Sequence, residues 1–351
     1  MADEMAEGTA RHMRKPSPAE AFDALYVLAS GNGRDEALFG DSFELAQPAF
    51  RRTLIGDGYP SAYLEFPLLG EPCFDFLTVY AAVEPGSRFA PGAGFGYQNM
   101  FDWFSGVGKP DGSVSCGIEC DTSTGDTTTA GVYLQQRAHT ELVAPFLDSI
   151  DEGDRTQTYL DVLSRMPEGW PPSYVGLFPG RAGTPMRIGG YMRNDELQRC
   201  ADDPSYLRAR FQQIGFSAFD APMLERCSEF MRIAPSVDFQ FDTMPDGTFG
   251  DTFGLSLSFN ETFPREARAC METGYGSTLM QTLQEWGLAD DRWKMIAGAA
   301  FARHVGYERE DGSEGRFALC IRFNFAKVKF KDCEPQPAKF YLNCIANDIK
   351  V

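Results

Sequence analysis

The sequence predicts an α+β protein built from repeated ββαα units, a ten-stranded antiparallel barrel surrounded by helices. Three observations carry this. Five pairs of short segments alternate apolar and polar residues at period two, the pattern of half-buried strands. Sequence with helical spacing separates the pairs. Successive antiparallel hairpins whose apolar faces are covered by helices lose their exposed edges by closing, which turns every polar face towards one lumen. An open sheet with helices on one side and water on the other uses the same alternation. Residues 1–16, polar and mixed in charge, read as a flexible tail, and residues 17–351 as one barrel domain, with the first hairpin near 62 and the last near 345.

A chain of 351 residues with 43% hydrophobic and 23% charged residues is long enough and apolar enough for a large core. Its net charge of -18 argues against nucleic acid or an anionic membrane surface as partner, because both need clustered positive charge outside. A small cationic pocket for an anionic ligand is compatible with that charge. The nine cysteines are odd in number, lack a CxxC pair and fall partly within apparent strands, so they read as reduced core thiols and the protein as cytoplasmic. Three histidines far apart in sequence argue against zinc. The start of the chain has no apolar stretch of the secretory type.

Ser17, Pro18 and Glu20 form a helix start with a cap, a first-position proline and a capping-box glutamate. That helix should end at Gly31-Asn32-Gly33, and a second should cover Asp35 to Leu54. The first hairpin is SAYLEFPLLGEPCFDFLTVY, where Tyr63 and Glu65 oppose Leu64 and Phe66. Glu65 among aromatics is either an exposed strand residue or a group that accepts a proton or hydrogen bond. The Gly-rich stretch around GAGFG and GVGKPDGS lacks phosphate-loop and dinucleotide-fold spacing and reads as turns around a short aromatic helix.

The second hairpin places Glu119 and Asp121 opposite Ile118 and Cys120, and Tyr133 opposite Val132 and Leu134. Helices should run over 140–150 and 156–165. The third hairpin puts Tyr174, Arg187, Tyr191 and Arg193 on its polar side, before helices over 195–214 and 221–233. The fourth sets Asp238, Gln240, Asp242, Ser256, Ser258 and Asn260 against Val237, Phe239, Phe241, Leu255, Leu257 and Phe259, around a Met244–Gly247 reversal. Helices over 264–274 and 277–286 and an amphipathic stretch over 291–304 lead to the last hairpin. There Leu319, Ile321, Phe323 and Phe325 should share one face and Arg322 and Asn324 the other, while Lys339, Tyr341 and Asn343 oppose Phe340 and Leu342.

The order of these units and the closing Lys-x-Tyr strand, AKFYLN, resemble the ABBA-type, prenyltransferase-barrel aromatic and peptide prenyltransferases. The resemblance spans about residues 58–348, mostly as architecture. It implies transfer of an isoprenyl group from its pyrophosphate to an electron-rich aromatic small molecule or peptide, without membrane or nucleic acid as partner. Arg187 and Tyr191 match the outer members of an Arg-x-Lys-x-Tyr strand that holds pyrophosphate, and Lys339 with Tyr341 match the Lys-x-Tyr strand. Arg322 could join them. Tyr133, Tyr174, Tyr191 and Tyr341 would supply aromatic faces and pyrophosphate contacts, and Glu65 or Glu119 would orient the acceptor and take its proton.

Gly189 stands where the pattern has a lysine, and Gly131 likewise before Tyr133. With fewer cations, either a divalent ion such as magnesium, carried by Asp238, Asp242 or Asp121, supplies charge, or the donor is not a pyrophosphate; the resemblance itself requires no cofactor. The alternatives are a barrel of the same shape that binds a small molecule or peptide without prenyl transfer, and a glycosidase using two of the acidic residues. The first predicts no cationic cluster in the lumen, the second two carboxylates facing each other across a cleft.

Overall fold

The computed structural model describes residues 14–89, 96–109, 111–122, 129–179, 183–261, 263–309 and 311–349. Residues 1–13 of the tail and the Pro91–Phe95 part of the Gly-rich stretch lie outside them. Of the rest of the tail, Lys15 pairs with Asp348 at 3.5 Å and the Pro16 carbonyl accepts a hydrogen bond from Tyr59.

Helix α1, Pro18–Ser30, starts on the expected capping box: the Ser17 hydroxyl accepts from the Glu20 amide while the Glu20 carboxylate accepts from the Ser17 amide. The second helix is broken. A π-helical turn, Asp35–Phe39, precedes α2, Ser42–Thr53, because the chain reverses at Gly40 with φ 55°. A side chain there would meet the Pro72 carbonyl oxygen at 2.2 Å, so this close approach requires glycine.

The five hairpins are present. They are β1 (Ser61–Pro67) and β2 (Asp75–Tyr80), β3 (Ser115–Cys120) and β4 (Ala130–Gln135), β5 (Pro172–Leu177) and β6 (Met186–Tyr191), β7 (Val237–Thr243) and β8 (Phe249–Ser258), then β10 (Glu314–Lys331) and β12 (Lys339–Ile349). Two further strands stand outside this set: β9, Phe301–Glu308, pairs along the first half of β10, and the two-residue β11, Glu334–Pro335, folds back on its end. The ring β1-β2-β3-β4-β5-β6-β7-β8-β10-β12 is antiparallel throughout and closes through β8–β10 and β12–β1.

Between the hairpins lie α3 (Gln98–Phe104), α4 (Val143–Ser149), α5 (Thr156–Arg165), α6 (Asn194–Asp202), α7 (Pro204–Ile214), α8 (Ala221–Ile233), α9 (Pro264–Thr273) and α10 (Tyr275–Glu285). The helix expected over 195–214 is two helices, since Pro204 has no amide to donate and Asp203 caps α7 through the Ser205 amide. Arg193 lies beyond β6, at the N-cap of α6, rather than on the strand's polar face. The amphipathic stretch over 291–304 is a 3-10 segment, Asp291–Ala299, followed by the start of β9, which contains His304.

The core fills the shell between barrel and helices. Phe239, Phe241 and Phe253 on the outer face pack against Phe211, Phe216 and Trp170, with Phe211 and Phe253 ring centroids 4.8 Å apart. On the other side Phe22 stacks on Phe50 at 3.8 Å and both meet Phe76. With the apolar side of each strand committed to this shell, the polar side has only the lumen to face.

One strand breaks its own alternation. The β10–β12 register slips between Phe323 and Phe325, so Asn324 is the extra residue of a bulge. Before it, Phe317, Leu319, Ile321 and Phe323 point to the shell. Past it the parity inverts: Ala326, Val328 and Phe330 are buried outward, and Phe325, Lys327 and Lys329 line the lumen. Phe325 therefore does not share the face of Leu319, Ile321 and Phe323.

Candidate functional site in the barrel lumen

Paired residues of an antiparallel ladder share a face, so the lumen can be read row by row. Phe325, Tyr341, Glu65 and Asp75 form one row across β10, β12, β1 and β2. Within it Tyr341 donates to the Glu65 carboxylate, and the Tyr341 ring packs on Phe325 with centroids 4.1 Å apart. Lys339 reaches Glu65 at 2.5 Å and Asp75 at 3.5 Å. Two carboxylates directly opposite each other repel unless a cation sits between them, and Lys339 is that cation. Burial pushes the Glu65 carboxyl up, but Lys339, backed by Lys327 and Lys329, overrides it and brings it to about 2. Glu65 is therefore a permanent anion and a hydrogen-bond acceptor.

The second cluster is built on Arg187 of β6. Its guanidinium donates to the Tyr133 hydroxyl and stands 3.8 Å from Glu119 and 3.5 Å from Asp242. Burial works against the charge of Arg187, but Tyr133, Asp242 and Glu119 together keep it protonated. Glu119 behaves differently from Glu65. Burial raises its carboxyl above the usual range in spite of Arg187, helped by the negative charges of Glu65 and Asp121. Two carboxylates in one lumen thus have proton affinities moved in opposite directions.

Lys327 lies between the clusters. It is buried and donates to the Gln240 side-chain oxygen, which also accepts from Tyr174 at 3.1 Å. Burial, reinforced by the charges of Lys329 and Arg187, pulls the Lys327 ammonium down to about 7. Lys329 is lowered too, by Arg187 first and burial second. Neither lysine has a carboxylate within ion-pair distance among the described residues. Three cations, Arg187, Lys327 and Lys329, crowd together there, and Glu65, Glu119 and Asp242 offset their repulsion only in part.

The glycines that replace expected lysines have a structural reason. A side chain at Gly189 would sit 2.2 Å from the Tyr174 ring, one at Gly176 2.2 Å from Tyr133, and one at Gly131 2.7 Å from Phe178. Bare backbone at these positions lets the tyrosine rings lie against the wall, Tyr133 and Tyr174 with centroids 6.2 Å apart. The cations absent from β4 and β6 are matched by Lys327 and Lys329 of β10. Their signal in the sequence is the alternation of AKVKF, which entered none of the strand faces assigned from sequence; the bulge at Asn324, three residues before Lys327, reverses the face of that alternation.

Arg187, Lys339, Tyr341, Tyr133, Tyr174, Glu65 and Glu119 are all brought into this lumen. Two of the expected residues stand apart. Tyr191 ends β6, is 44% exposed and pairs with Asp238. Arg322 lies before the bulge, beside Asn343 rather than among the lysines. The aspartates considered as carriers of a divalent ion also separate: Asp242 faces Arg187, and Asp238 lies four residues, about 13 Å, along the same strand. Among the described residues no group of three or more His, Cys, Asp or Glu side chains is placed to hold a metal ion. Asp238 is instead a carboxyl raised to about 6 by burial, with Lys327 opposing. The cysteines within the described residues are all free thiols, and no described helix is long and apolar enough to cross a membrane.

No family model matches the chain, and no curated protein matches it by sequence. Solved structures do. The 5-dimethylallyltryptophan synthase from Streptomyces coelicolor superposes with a TM-score of 0.51 at 12% identity, covering 94% of this chain and 97% of that one. The same enzyme in complex with DMASPP and Trp gives 0.48 at 14% identity over 94% and 95%. The prenyltransferase PriB, in a ternary complex with L-tryptophan and dimethylallyl thiolodiphosphate, gives 0.49 at 11% identity over 93% and 96%. At such identity the first of these establishes a shared fold alone, a barrel of the prenyltransferase type, over 94% of this chain.

Proposed function

We propose that this protein transfers an isoprenyl group from its pyrophosphate to an aromatic acceptor held in the barrel. The observation that carries the reading is the crowding of Arg187, Lys327 and Lys329, with Lys339 nearby, against the faces of Tyr133, Tyr174 and Tyr341. A lumen that binds a neutral molecule has no use for cations that repel one another. An incoming polyanion relieves that repulsion. The fold shared with a 5-dimethylallyltryptophan synthase supports the same reading.

The chemistry follows from these side chains. The allylic C–O bond breaks, its electron pair leaves with the pyrophosphate, and Arg187, Lys327 and Lys329 stabilise that charge. The tyrosine faces flank the carbocation and keep water from it. The acceptor ring attacks the cation, forming the new C–C bond, and the proton displaced from the ring passes to a carboxylate. Glu65, held ionised and bonded by Tyr341, orients the acceptor through a hydrogen bond. Glu119, with the higher proton affinity, takes the proton.

Calorimetric titration with dimethylallyl and geranyl pyrophosphate, with and without magnesium, tests the donor site. Saturable binding should occur and should weaken at least about tenfold in Lys329→Gln, which removes a charge-assisted contact. No binding of either donor under either condition would end the prenyl-transfer reading. Glu119→Gln should keep donor affinity while lowering the single-turnover rate by about 10²–10⁴-fold, the usual worth of a placed proton acceptor. An unchanged rate would assign the proton elsewhere.

A further inference from the structure

Outside the barrel, Arg34 is a buried charge without a countercharge. It is 7% exposed, and its described hydrogen bonds go to main-chain carbonyls alone: Nε donates to the Ala29 oxygen at 2.6 Å and Nη2 to the Leu28 oxygen at 3.2 Å, both in the last turns of α1. The partial negative charge of a helix C-terminus suits one cation, so capping accounts for part of this arrangement. It does not account for a second guanidinium. Arg268 of α9, exposed at the surface, donates Nη2 to the Ala300 carbonyl at 3.2 Å. Arg34 Nη1 lies against Gly298, where a Cβ would stand 2.8 Å from it. Residues two apart are separated by no more than about 7 Å, so both guanidinium groups meet the same short stretch of backbone, where the 3-10 segment passes into β9. Among the described residues neither makes an ion pair. Burial pulls the Arg34 guanidinium below its usual range, the charge of Arg268 pulls the same way, and Asp35 opposes them with the weakest effect of the three.

We propose that Arg34 and Arg268 frame a binding site for a small free phosphate-type anion at the junction of α1, α9 and β9. Guanidinium groups present their donors as planar forks that match tetrahedral oxyanions, and each of these two has nitrogens that its carbonyl contacts leave unused. Gly298 leaves the Nη1 edge of Arg34 uncovered by any side chain. Two like charges, one of them buried, cost free energy that an anion set between them returns. A free ion fits better than a lipid headgroup, because Arg34 lies beneath the surface and a chain of net charge -18 repels an anionic membrane. The ion would tie the end of α1 to α9 across the start of β9, a strand held to the described sheet through β10 alone. No lumen residue takes part, so the site stands apart from prenyl transfer.

Inorganic phosphate is the probe, compared with sodium chloride at equal ionic strength on the full chain. The unfolding midpoint should rise saturably with phosphate, and half-saturation should need at least about tenfold more in Arg268→Gln. General stabilisation by phosphate excluded from the protein surface does not saturate and survives in that variant. Hydrogen exchange locates the ion: at about ten times the half-saturating concentration, exchange should slow about tenfold in peptides covering 28–34 and 298–303, and Arg268→Gln should abolish that protection. Arg268 is exposed, so its replacement tests the site without removing a buried group. Gly298→Ala, which sets a methyl where the Arg34 guanidinium lies, should weaken phosphate as well. Phosphatidylcholine vesicles with and without phosphatidate should leave both peptides unchanged. Phosphate that protects no more than chloride, equal protection in Arg268→Gln, protection confined to the lumen strands, or a response to phosphatidate vesicles in place of phosphate each overturns the proposal.

Discussion

Arg187→Ala should be the most damaging single change in the lumen, costing about 3–5 kcal/mol of folding stability and eliminating measurable pyrophosphate binding. The side chain is 19% exposed and its two carboxylate neighbours, Glu119 and Asp242, are 14% and 15% exposed. Removing the guanidinium leaves both carboxylates and the Tyr133 hydroxyl without their shared partner. The size of the loss comes from those stranded anions rather than from the strength of the ion pairs, which are long at 3.8 and 3.5 Å. Neutralising the anions in the same molecule, as Arg187→Ala with Glu119→Gln and Asp242→Asn, should therefore recover most of the stability without recovering donor binding. Denaturant titration of the single and triple variants separates the two effects. A single variant that unfolds within about 1 kcal/mol of wild type would show that solvent reaches the cluster freely.

Much of this arrangement was written in the alternation of the strands. In β1, β3, β4, β6 and β12 each polar residue is flanked by residues that belong to the shell, so Glu65, Glu119, Tyr133, Arg187, Lys339 and Tyr341 could be placed on a common surface before any contact was known. Closure is compatible with the same fact, but so is an open sheet with its polar face in water; the β8–β10 and β12–β1 pairings decide for the ring. What failed to show was anything that depends on a local break in period. The bulge at Asn324 adds one residue, and every assignment beyond it on β10 changes face. Unbroken alternation would turn Lys327 and Lys329, two of the cations best placed for a polyanion, towards the shell and Phe325 with them; the shift turns all three into the lumen. β9 escaped for a related reason: Phe301–Glu308 covers the barrel's extension on one edge only and is mostly exposed, so it has no buried face to create an alternating pattern. Gly131 and Gly189 read as missing cations because their role is defined by rings on neighbouring strands.

Donor binding should also take up a proton, and Lys327 should be the group that receives it. In the free protein burial and the charges of Lys329 and Arg187 bring this ammonium down to about 7, so at pH 8 most molecules carry it neutral. A bound polyanion favours the charged form and moves the value upward. Between about 7 and the raised value of the complex, binding therefore captures one proton, and affinity falls about tenfold for each unit of rising pH. Below about 7 Lys327 is charged in both states and contributes no such slope. Glu65 does not confuse the measurement, because at about 2 it remains ionised throughout this range. Pyrophosphate titrations at pH 8 in buffers of different ionisation enthalpy count the protons: wild type should take up close to one more per ligand than Lys327→Met, the protons that pyrophosphate itself exchanges cancelling in the difference, and Lys327→Met should bind more weakly. Equal uptake in the two proteins would place the proton on another group, Lys329 being the next in line since Arg187 lowers it as well. The same coupling would make donor release easier as the lumen loses its proton, so that the cation crowding that attracts a pyrophosphate also limits how long the product is held.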